Sequence, residues 1–371
     1  MASYSSTTDA VLAALSQITG TAALVQAQFG VQTQLQEGAF FHLAHAKQTR
    51  LNHLRSVLGG QKIRTVWVSN SIRLLAQASW AGDVRSLEKD FFADEDPVSV
   101  QKKCADLKQS VVVVNNNDAH QGGGSERLAR WLQRCPDTVF VAWDWDNHHW
   151  LSLSYPLAAL SDVYCPTHYE NLYPLSRFNA ALAVVPCGTV QWTDAFLRER
   201  QELMLNAPRS DGPLGKHIYY GGFGYRNQVI TTLEPKYPDV RFTTHQFHDL
   251  TPEQKFLEWV SFKLHLIVPV LNDVPIRLFD AWATGGIPLV PASLRFSAVF
   301  EDMHPRDVVF YNASDVVTPQ AMIEKARALF DADGQMGILR RHQYGLGRHH
   351  GEQRLRRMLD VARDLVGFTG P

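Results

Sequence analysis

The chain has 371 residues, of which 45% are hydrophobic and 20% are charged, and its 36 basic residues are balanced by 37 acidic ones. This length and composition predict two globular domains with sizeable cores and exclude an intrinsically disordered chain. The formal net charge of −1 provides no global field that attracts nucleic acid, so no nucleic-acid partner is expected.

The N-terminus lacks a basic region followed by an apolar run, so no signal peptide is expected. No run approaches the ~20 apolar residues that a membrane span requires, and a cytoplasmic location is therefore expected. The four cysteines are widely spaced and form no CxxC pair, which predicts reduced core thiols rather than a zinc site or a disulfide framework. They are Cys104, Cys135, Cys165 and Cys187.

The first half of the chain begins with apolar residues at helical spacing. They predict an N-terminal helical segment over residues 1–60, a candidate for acceptor binding or self-association. An α/β domain is predicted over 61–205, because apolar runs of strand length alternate with helical stretches. The valine run inside 110–115 is typical of a buried strand in a parallel sheet. The predicted strands are 63–69, 110–115, 138–143, 161–165 and 183–186, and the predicted helices are 72–80 and 125–133.

Residues 206–215 are polar and rich in Pro and Gly, which predicts an interdomain linker. A second α/β domain is predicted over 216–345, followed by a C-terminal helix over 346–371. Residues 216–222 are predicted to form a strand and a glycine turn, and the further predicted strands are 240–244, 264–271, 287–290 and 307–310. Helical stretches are predicted at 277–284, 321–330 and 337–366. Strands and helices alternate in both halves. The predicted fold class is therefore α/β, with two Rossmann-like doubly wound parallel sheets.

The most informative stretch, residues 264–290, combines a strand, a polar loop, a short helix, Gly285-Gly286 and a second strand. Arg277 and the backbone N–H groups at the helix start suit an anion such as a diphosphate. Asp280, one turn into the helix, suits a pair of ribose hydroxyls. The pattern predicts a sugar-nucleotide site. An ordinary strand–helix–strand unit with Gly-Gly as the helix C-cap is the alternative interpretation.

This arrangement resembles the C-terminal signature of GT-B glycosyltransferases of the glycosyl transferases group 1 superfamily, particularly its spore-maturation-protein branch. The branch has an N…R-x-F-[ED]-x-x-x-x-G pattern, which is matched here by Asn272, Arg277, Phe279, Asp280 and Gly285. Many retaining members carry a Glu at each of the positions occupied here by Asn272 and Asp280. The first acid is thus missing and the second is shortened, which leaves inverting and retaining chemistry both open.

The resemblance covers residues 216–351 and implies a GT-B architecture, in which two Rossmann-like domains face a cleft. In such enzymes the nucleotide-sugar-binding domain begins with a strand, a glycine turn and a basic residue that contacts donor phosphate. Gly221, Gly222 and Arg226 resemble that element. Gly285 and Gly286 would allow the adjoining helix and strand to pack closely. The first half of the chain shares only the architecture and would form the acceptor side.

A second cluster of polar residues directly follows the predicted strand 138–143, at the end of a strand where open α/β sheets bind ligands. Its candidate catalytic residues are Asp144, Asp146, His148 and His149, any of which could deprotonate an acceptor hydroxyl. If the strand continued, Asp144 and Asp146 would share one face. Structural roles for the whole cluster are the alternative. A strand ending in Asp-x-Asp also resembles the metal-binding motif of GT-A glycosyltransferases, and a divalent metal is expected only in that case.

Further candidates border the predicted cleft. Gly122 and Gly123 belong to a triple glycine before a helix, where the backbone could approach a ligand closely. His168 and Gly188 resemble the last segments of the acceptor-side domain in GT-B enzymes. A basic run near the C-terminus, which includes His342, Arg348, His349 and His350, is interpreted as a solvated face rather than a metal site.

The sequence therefore predicts a glycosyltransferase that moves a sugar from a nucleotide-sugar donor to an acceptor hydroxyl, in bacterial glycoconjugate or polysaccharide synthesis. The acceptor could be a glycan, a lipid-linked sugar or a protein, and no cofactor is obligatory. Peripheral membrane contact and a homo-oligomer both stay open. Two alternatives are a catalytically silent GT-B-like binding or assembly protein and, less favoured, a metal-dependent hydrolase built on the 144–149 cluster.

Overall fold

The structure is a computed structural model that describes residues 34–78, 82–93, 96–119, 124–169, 172–179, 181–243, 250–271 and 273–370. The chain divides into two compact units. The first comprises Met1–Pro186 and Leu355–Pro371, and the second comprises Cys187–Arg354. Each unit is built around a five-stranded sheet in which all the paired strands run parallel.

The first unit has strands in the order β2-β1-β3-β4-β5. Their bounds are β1 Thr65–Val68, β2 Asp83–Ser86, β3 Ser110–Asn115, β4 Val139–Asp144 and β5 Val163–Pro166. Its helices are α1 Gln34–Leu58, α2 Pro97–Asp106, α3 Asn116–Ala119, α4 Gly124–Arg134, α5 Leu151–Leu160 and α6 Leu172–Leu175, with 3-10 helices at Asn70–Gln77 and Phe91–Ala93.

The second unit has strands in the order β10-β9-β8-β6-β7. Their bounds are β6 Ser210–Ile218, β7 Val240–Thr243, β8 Phe262–Leu266, β9 Ile287–Pro291 and β10 Val309–Tyr311. Its helices are α7 Asp194–Glu199, α8 Gln201–Asn206, α9 Gly224–Leu233, α10 Pro252–Val260, α11 Ile276–Ala283, α12 Ala313–Val317 and α13 Gln320–His349, with 3-10 helices at Ala292–Leu294, Ala298–Phe300 and Pro305–Asp307. The last helix, α14 Gly351–Val366, starts in this unit and continues into the first.

Both sheets have the same topology. In each one, the second strand of the unit pairs on one side of the first strand, and the third, fourth and fifth strands extend on the other side. This order places the reversal of winding between the first and third strands, β1 and β3 in one unit and β6 and β8 in the other. Because parallel strands are joined by right-handed crossovers, the reversal puts helices on both faces of each sheet. The predicted class of two doubly wound parallel sheets is confirmed.

The burial of the central strands explains why their sequences are continuously apolar. Every residue of β3, β4 and β9 is buried, as expected for parallel strands covered on both faces. The N-terminal helical prediction is confirmed for α1, whereas residues 1–33 lie outside the described residues. Helix α1 packs on the first unit, where Arg50 donates to both carboxylate oxygens of Asp162 and to the carbonyl of Thr138.

Several predicted elements differ from the structure. Strand β6 begins at Ser210, inside the predicted linker 206–215, and the two units divide after Pro186. The breakers Gly212 and Pro213 are accommodated because the pairing of β6 with β8 shifts register between Ser210 and Pro213. The predicted strand 183–186 forms no strand, although its backbone hydrogen-bonds along β5. The predicted helix 72–80 corresponds to the 3-10 helix Asn70–Gln77.

The C-terminal helices also follow the predicted break. Helix α13 is interrupted at Gly334, whose φ of 51° and ψ of −141° are not helical, so that the predicted stretches 321–330 and 337–366 lie on either side of it. Across the described ranges, no helix has both the length and the apolar character needed to cross a bilayer.

Candidate functional site

The strand reversal between β6 and β8 marks the edge at which the second unit can bind a ligand, because open parallel sheets form their ligand crevice at the carboxyl ends of such strands. Helix α9 begins after β6 and α11 begins after β8. Their N-cap residues are Phe223 and Pro275, and no side chain caps either helix. By contrast, α10 has a complete capping box formed by Thr251 and Gln254. Two helix N-termini without a side-chain cap therefore lie at the edge where a ligand is expected.

Two arginines and a buried histidine occupy the same edge. Arg226 lies in the first turn of α9, and its Nη2 is 3.4 Å from Nδ1 of His217, near the end of β6. Arg277 lies in the first turn of α11, with its guanidinium carbon 6.0 Å from the ring centre of Trp259. The predicted Arg226 and Arg277 both lie near His217, a residue that no sequence motif indicated.

Burial dominates the electrostatics of this cluster, and the charges of nearby carboxylates offset only part of it. Burial lowers the pKa of Arg277 to about 10, with the nearby charge of Arg226 acting in the same direction. Burial also lowers the pKa of Arg226. The pKa of His217 is held well below its usual value by burial and by both guanidiniums, which leaves its ring neutral. Among the described residues, Nε of Arg226 is buried without a hydrogen-bond partner. A bound anion would favour the charged forms of both arginines and could accept a hydrogen bond from Nε of Arg226.

The carboxylate of Asp280 is completely buried and is held by its own unit. One oxygen accepts a 2.6 Å hydrogen bond from the Thr189 hydroxyl, and the other accepts one from the side-chain amide of Gln191. Burial raises the pKa of Asp280 to about 7, although both hydrogen bonds and the charge of Arg277 oppose the shift. A ribose contact at Asp280 stays a prediction, and the complete burial of the carboxylate means that a ribose could reach it only after a local rearrangement.

The glycines Gly285 and Gly286 occupy positions that a larger residue cannot fill. Gly285 has a φ of +73° and follows the end of α11 as a left-handed C-cap. A Cβ at Gly286 would lie 2.2 Å from Cδ2 of the buried His265. Gly188 is similarly restricted, because a Cβ there would lie 2.4 Å from the carbonyl oxygen of His349. These glycines allow close packing, while their contact with a donor stays a prediction.

The remaining donor-side candidates lie in loops. Gly221 and Gly222 form an exposed turn between β6 and α9, and a Cβ at Gly222 would meet no atom within 4 Å. Asn272 lies outside the described residues. The adjoining Asp273 accepts a 2.5 Å hydrogen bond from the backbone N–H of Val270, which stabilises the turn after β8.

In the first unit, Asp144 is the last residue of β4 and is buried. Its carboxylate accepts a 2.6 Å hydrogen bond from the Tyr164 hydroxyl and a 3.0 Å bond from the backbone N–H of Asp146. Burial raises the pKa of Asp144 to about 6. The strand ends here and the chain turns, so Asp144 and Asp146 do not continue one strand face as the strand-continuation interpretation required.

Asp146 is half-buried and accepts a 2.6 Å hydrogen bond from the side chain of Asn116, which directly follows β3. The Asn116 side-chain oxygen in turn accepts from the backbone N–H of Trp145. Asn116 thus connects the ends of two neighbouring strands and positions the carboxylate of Asp146. Of the two acids, Asp146 has the more accessible carboxylate.

Three histidine rings of this cluster contact one another at steep angles, 60° between His148 and His149 and 68° between His148 and His168. Nδ1 of His149 lies 2.8 Å from Nε2 of His148, and the ring centres of His148 and His168 are 4.4 Å apart. Burial lowers the pKa of His148 to about 2 and that of His168 to about 4. The side chain of Asn147 bonds the backbone around His168, which joins the two segments. The structure therefore brings the predicted His148, His149 and His168 together as neutral rings.

The remaining predictions concern the triple glycine and the basic run near the C-terminus. Gly122 and Gly123 lie outside the described residues. The expectation of a solvated face near the C-terminus was wrong for His342, His349 and His350, which are all buried. They are buried because the end of α13 packs against α11 and the 189–192 segment: Nδ1 of His342 bonds the Ala283 carbonyl, and Nε2 of His350 bonds the Trp192 carbonyl.

In the part of the chain that the structure describes, no group of three or more His, Cys, Asp or Glu is arranged to hold a metal ion.

Comparison with known proteins gives matches in structure. No model of a protein family matches the sequence, and no curated protein matches it. The structure is similar to a sucrose-phosphate synthase from Thermosynechococcus elongatus, with 12% identity and a TM-score of 0.45 over 81% of this chain and 99% of that one. It is also similar to an alpha,alpha-trehalose-phosphate synthase (UDP-forming) from Burkholderia vietnamiensis, with 9% identity, a TM-score of 0.45 and the same coverage. A chain of the GtfA/B complex has 11% identity and a TM-score of 0.39 over 72% of this chain and 60% of that one. None of these names belongs to the spore-maturation-protein branch, which stays a prediction.

Proposed function

We propose that this protein is a glycosyltransferase whose second unit binds the diphosphate of a nucleotide-sugar donor at the carboxyl ends of β6 and β8. One observation carries the proposal. Arg226 and Arg277 each lie in the first turn of a helix that has no side-chain cap, and both helices start at the strand reversal of the sheet. Guanidinium groups and helix N-termini are the donors that bind a diphosphate best.

The same groups would also assist the chemistry. Glycosyl transfer leaves a nucleoside diphosphate whose terminal phosphate gains negative charge as the glycosidic bond breaks. Arg226 and Arg277 remain protonated near neutral pH and are partly removed from water, which strengthens their interaction with that charge. No metal is obligatory for this step, because fixed positive charges and backbone dipoles stabilise the leaving group.

The first unit supplies the candidate general base. We assign this role to Asp146, assisted by the nearby ring of His149, since Asp144 is buried and already bonded to Tyr164. Asp144 would then position the turn that holds Asp146, through the backbone bond between them.

Calorimetric titration with UDP, GDP, TDP, ADP and CMP tests donor binding and identifies the base. Arg226→Ala and Arg277→Ala should each weaken the best nucleoside diphosphate roughly 10- to 100-fold, because a charge-assisted hydrogen bond contributes about 1.5–3 kcal/mol. Arg241→Ala, an exposed arginine of β7 in the same unit, is the matched control and should bind as the parent does. Unchanged affinity in both cluster variants would remove the proposed site.

Turnover separates a transferase from a silent binding protein. With a nucleotide sugar of the identified base, the parent should release the nucleoside diphosphate, and Asp146→Asn should slow that release without changing the affinity for the diphosphate. Binding without turnover across a panel of sugars would favour the silent alternative. That alternative is consistent with Asp280 being bonded internally to Thr189 and Gln191.

A further inference from the structure

The cysteines Cys104 and Cys135 lie side by side, although they are far apart in sequence. Cys104 is in the last turns of α2, and Cys135 directly follows α4. Their sulfur atoms are 2.7 Å apart, and the Cys135 thiol donates a hydrogen bond to Cys104. The sequence, which has no CxxC motif, predicts reduced core thiols and does not indicate this pair.

The position of the pair follows from the parallel sheet. Strands β3 and β4 are paired neighbours, with Val111 opposite Val139, so the segments that precede them converge at the same edge. That edge is fixed by a 2.7 Å hydrogen bond from the Thr138 hydroxyl to the Leu107 carbonyl. Because the backbone on both sides is anchored, bond formation requires the sulfurs to approach by less than ~1 Å.

The two thiols differ in exposure and in acidity. Cys104 is half-buried, whereas Cys135 is buried. The hydrogen bond from Cys135 lowers the pKa of Cys104, while the same bond together with burial raises the pKa of Cys135. Cys104 is thus the attacking thiol and Cys135 the resolving one.

We propose that Cys104 and Cys135 form a reversible intramolecular disulfide by exchange with a low-molecular-weight disulfide such as oxidised glutathione. The Cys104 thiolate attacks one sulfur of the glutathione disulfide, which forms a mixed disulfide and releases one glutathione thiolate. The Cys135 sulfur then attacks the Cys104 sulfur and releases the second glutathione. Two protons pass from the protein thiols to the two glutathione thiolates, and two electrons pass to the glutathione disulfide.

This bond would crosslink the first unit at the edge opposite the candidate base. Cys104 and Cys135 precede the N-terminal ends of β3 and β4, whereas Asn116 and Asp146 follow the carboxyl ends of the same strands. Oxidation should therefore stabilise the unit against unfolding and leave the position of Asp146 unchanged. Because the bond would close the loop from Cys104 to Cys135, we expect oxidation to raise Tm by roughly 5–10 °C, and a reductant should reverse the rise.

Peptide mapping of the full-length protein tests the proposal. After incubation with oxidised glutathione and alkylation of the remaining thiols, digestion without reduction should yield a linked peptide pair containing Cys104 and Cys135, with Cys165 and Cys187 alkylated. Cys135→Ser should accumulate a glutathione adduct on Cys104, and Cys104→Ser should accumulate neither adduct nor link. Cys165→Ala is the control and should form the link as the parent does.

Three results would overturn the proposal. The first is a glutathione adduct on Cys104 that persists in the parent protein, and the second is oxidation that involves Cys165 or Cys187 instead. The third is an oxidised form that melts at or below the temperature of the reduced form. The mapping of the parent protein decides the first two even if a serine variant does not fold.

Discussion

Replacing Gly286 by alanine should destabilise the second unit, because the new methyl group has no space. Gly286 lies between the end of α11 and the start of β9, and a Cβ there would be 2.2 Å from Cδ2 and 2.3 Å from Nε2 of His265. His265 is buried, and its ring stacks on Trp259 with centroids 4.7 Å apart and an interplanar angle of 10°. The histidine cannot swing into solvent to make room.

The size of the effect follows from this geometry. An ordinary contact begins near 3.4 Å, so the imidazole must shift by more than an ångström or the backbone must open. Overpacking of this kind costs about 1–3 kcal/mol, and loss of the ring stack adds about 0.5–1.5 kcal/mol. We expect a loss of about 2–4 kcal/mol in the free energy of unfolding, which corresponds to a fall in Tm of roughly 5–15 °C.

Urea unfolding followed by tryptophan fluorescence would measure this loss. Gly222→Ala is the matched control, since a Cβ at Gly222 meets no atom within 4 Å, and its midpoint should stay near that of the parent. In a double-mutant cycle, His265→Ala should cost less beside Gly286→Ala than alone, with a coupling of about 1 kcal/mol or more. Equal midpoints for Gly286→Ala and the parent, or strict additivity in the cycle, would refute the steric argument.

Two further substitutions test buried charges. Asp307→Ala leaves the fully buried guanidinium of Arg341 without its 3.3 Å partner, and it should lower the free energy of unfolding by about 3–5 kcal/mol in urea. Arg348→Ala removes only an exposed ion pair and should cost less than about 1 kcal/mol. Equal costs for the two variants would contradict the argument. For Asp144, burial raises the pKa to about 6, so its stabilising contribution is complete at low pH and is lost as pH rises from about 4 through about 6. Because the Tyr164 hydroxyl opposes that shift, Tyr164→Phe should extend the loss of stability to higher pH. The urea midpoint of the variant should fall more between about pH 5 and about pH 8 than that of the parent. An equal fall would count against the role of the Tyr164 hydroxyl.

The sequence predicted most reliably the elements whose formation is local. Strands β3, β4 and β9 were found within one residue because they are apolar runs buried on both faces. Helix α11 and its left-handed cap at Gly285 also followed directly, since helical periodicity and a terminal glycine are short-range signals. The fold class then followed from the alternation of these elements.

Long-range pairing was beyond the reach of the sequence. The start of β6 contains Gly212 and Pro213, and only its pairing with β8 makes it a strand. The partners of Asp280, Thr189 and Gln191, are about ninety residues away in sequence and carry no motif. Their contact, like the burial of His349, depends on tertiary packing, which no local pattern encodes.

The first unit is discontinuous in sequence, because it includes Leu355–Pro371 as well as Met1–Pro186. The returning segment adds buried Leu355, Leu359 and Val366. It also pairs with the residues just before β1, where the Ile63 N–H donates to the Thr369 carbonyl at 2.8 Å. During synthesis, a ribosome therefore completes the entire second unit before it delivers the last part of the first. The apolar surface that Leu355, Leu359 and Val366 cover in the first unit therefore stays uncovered until residues 187–354 have been made.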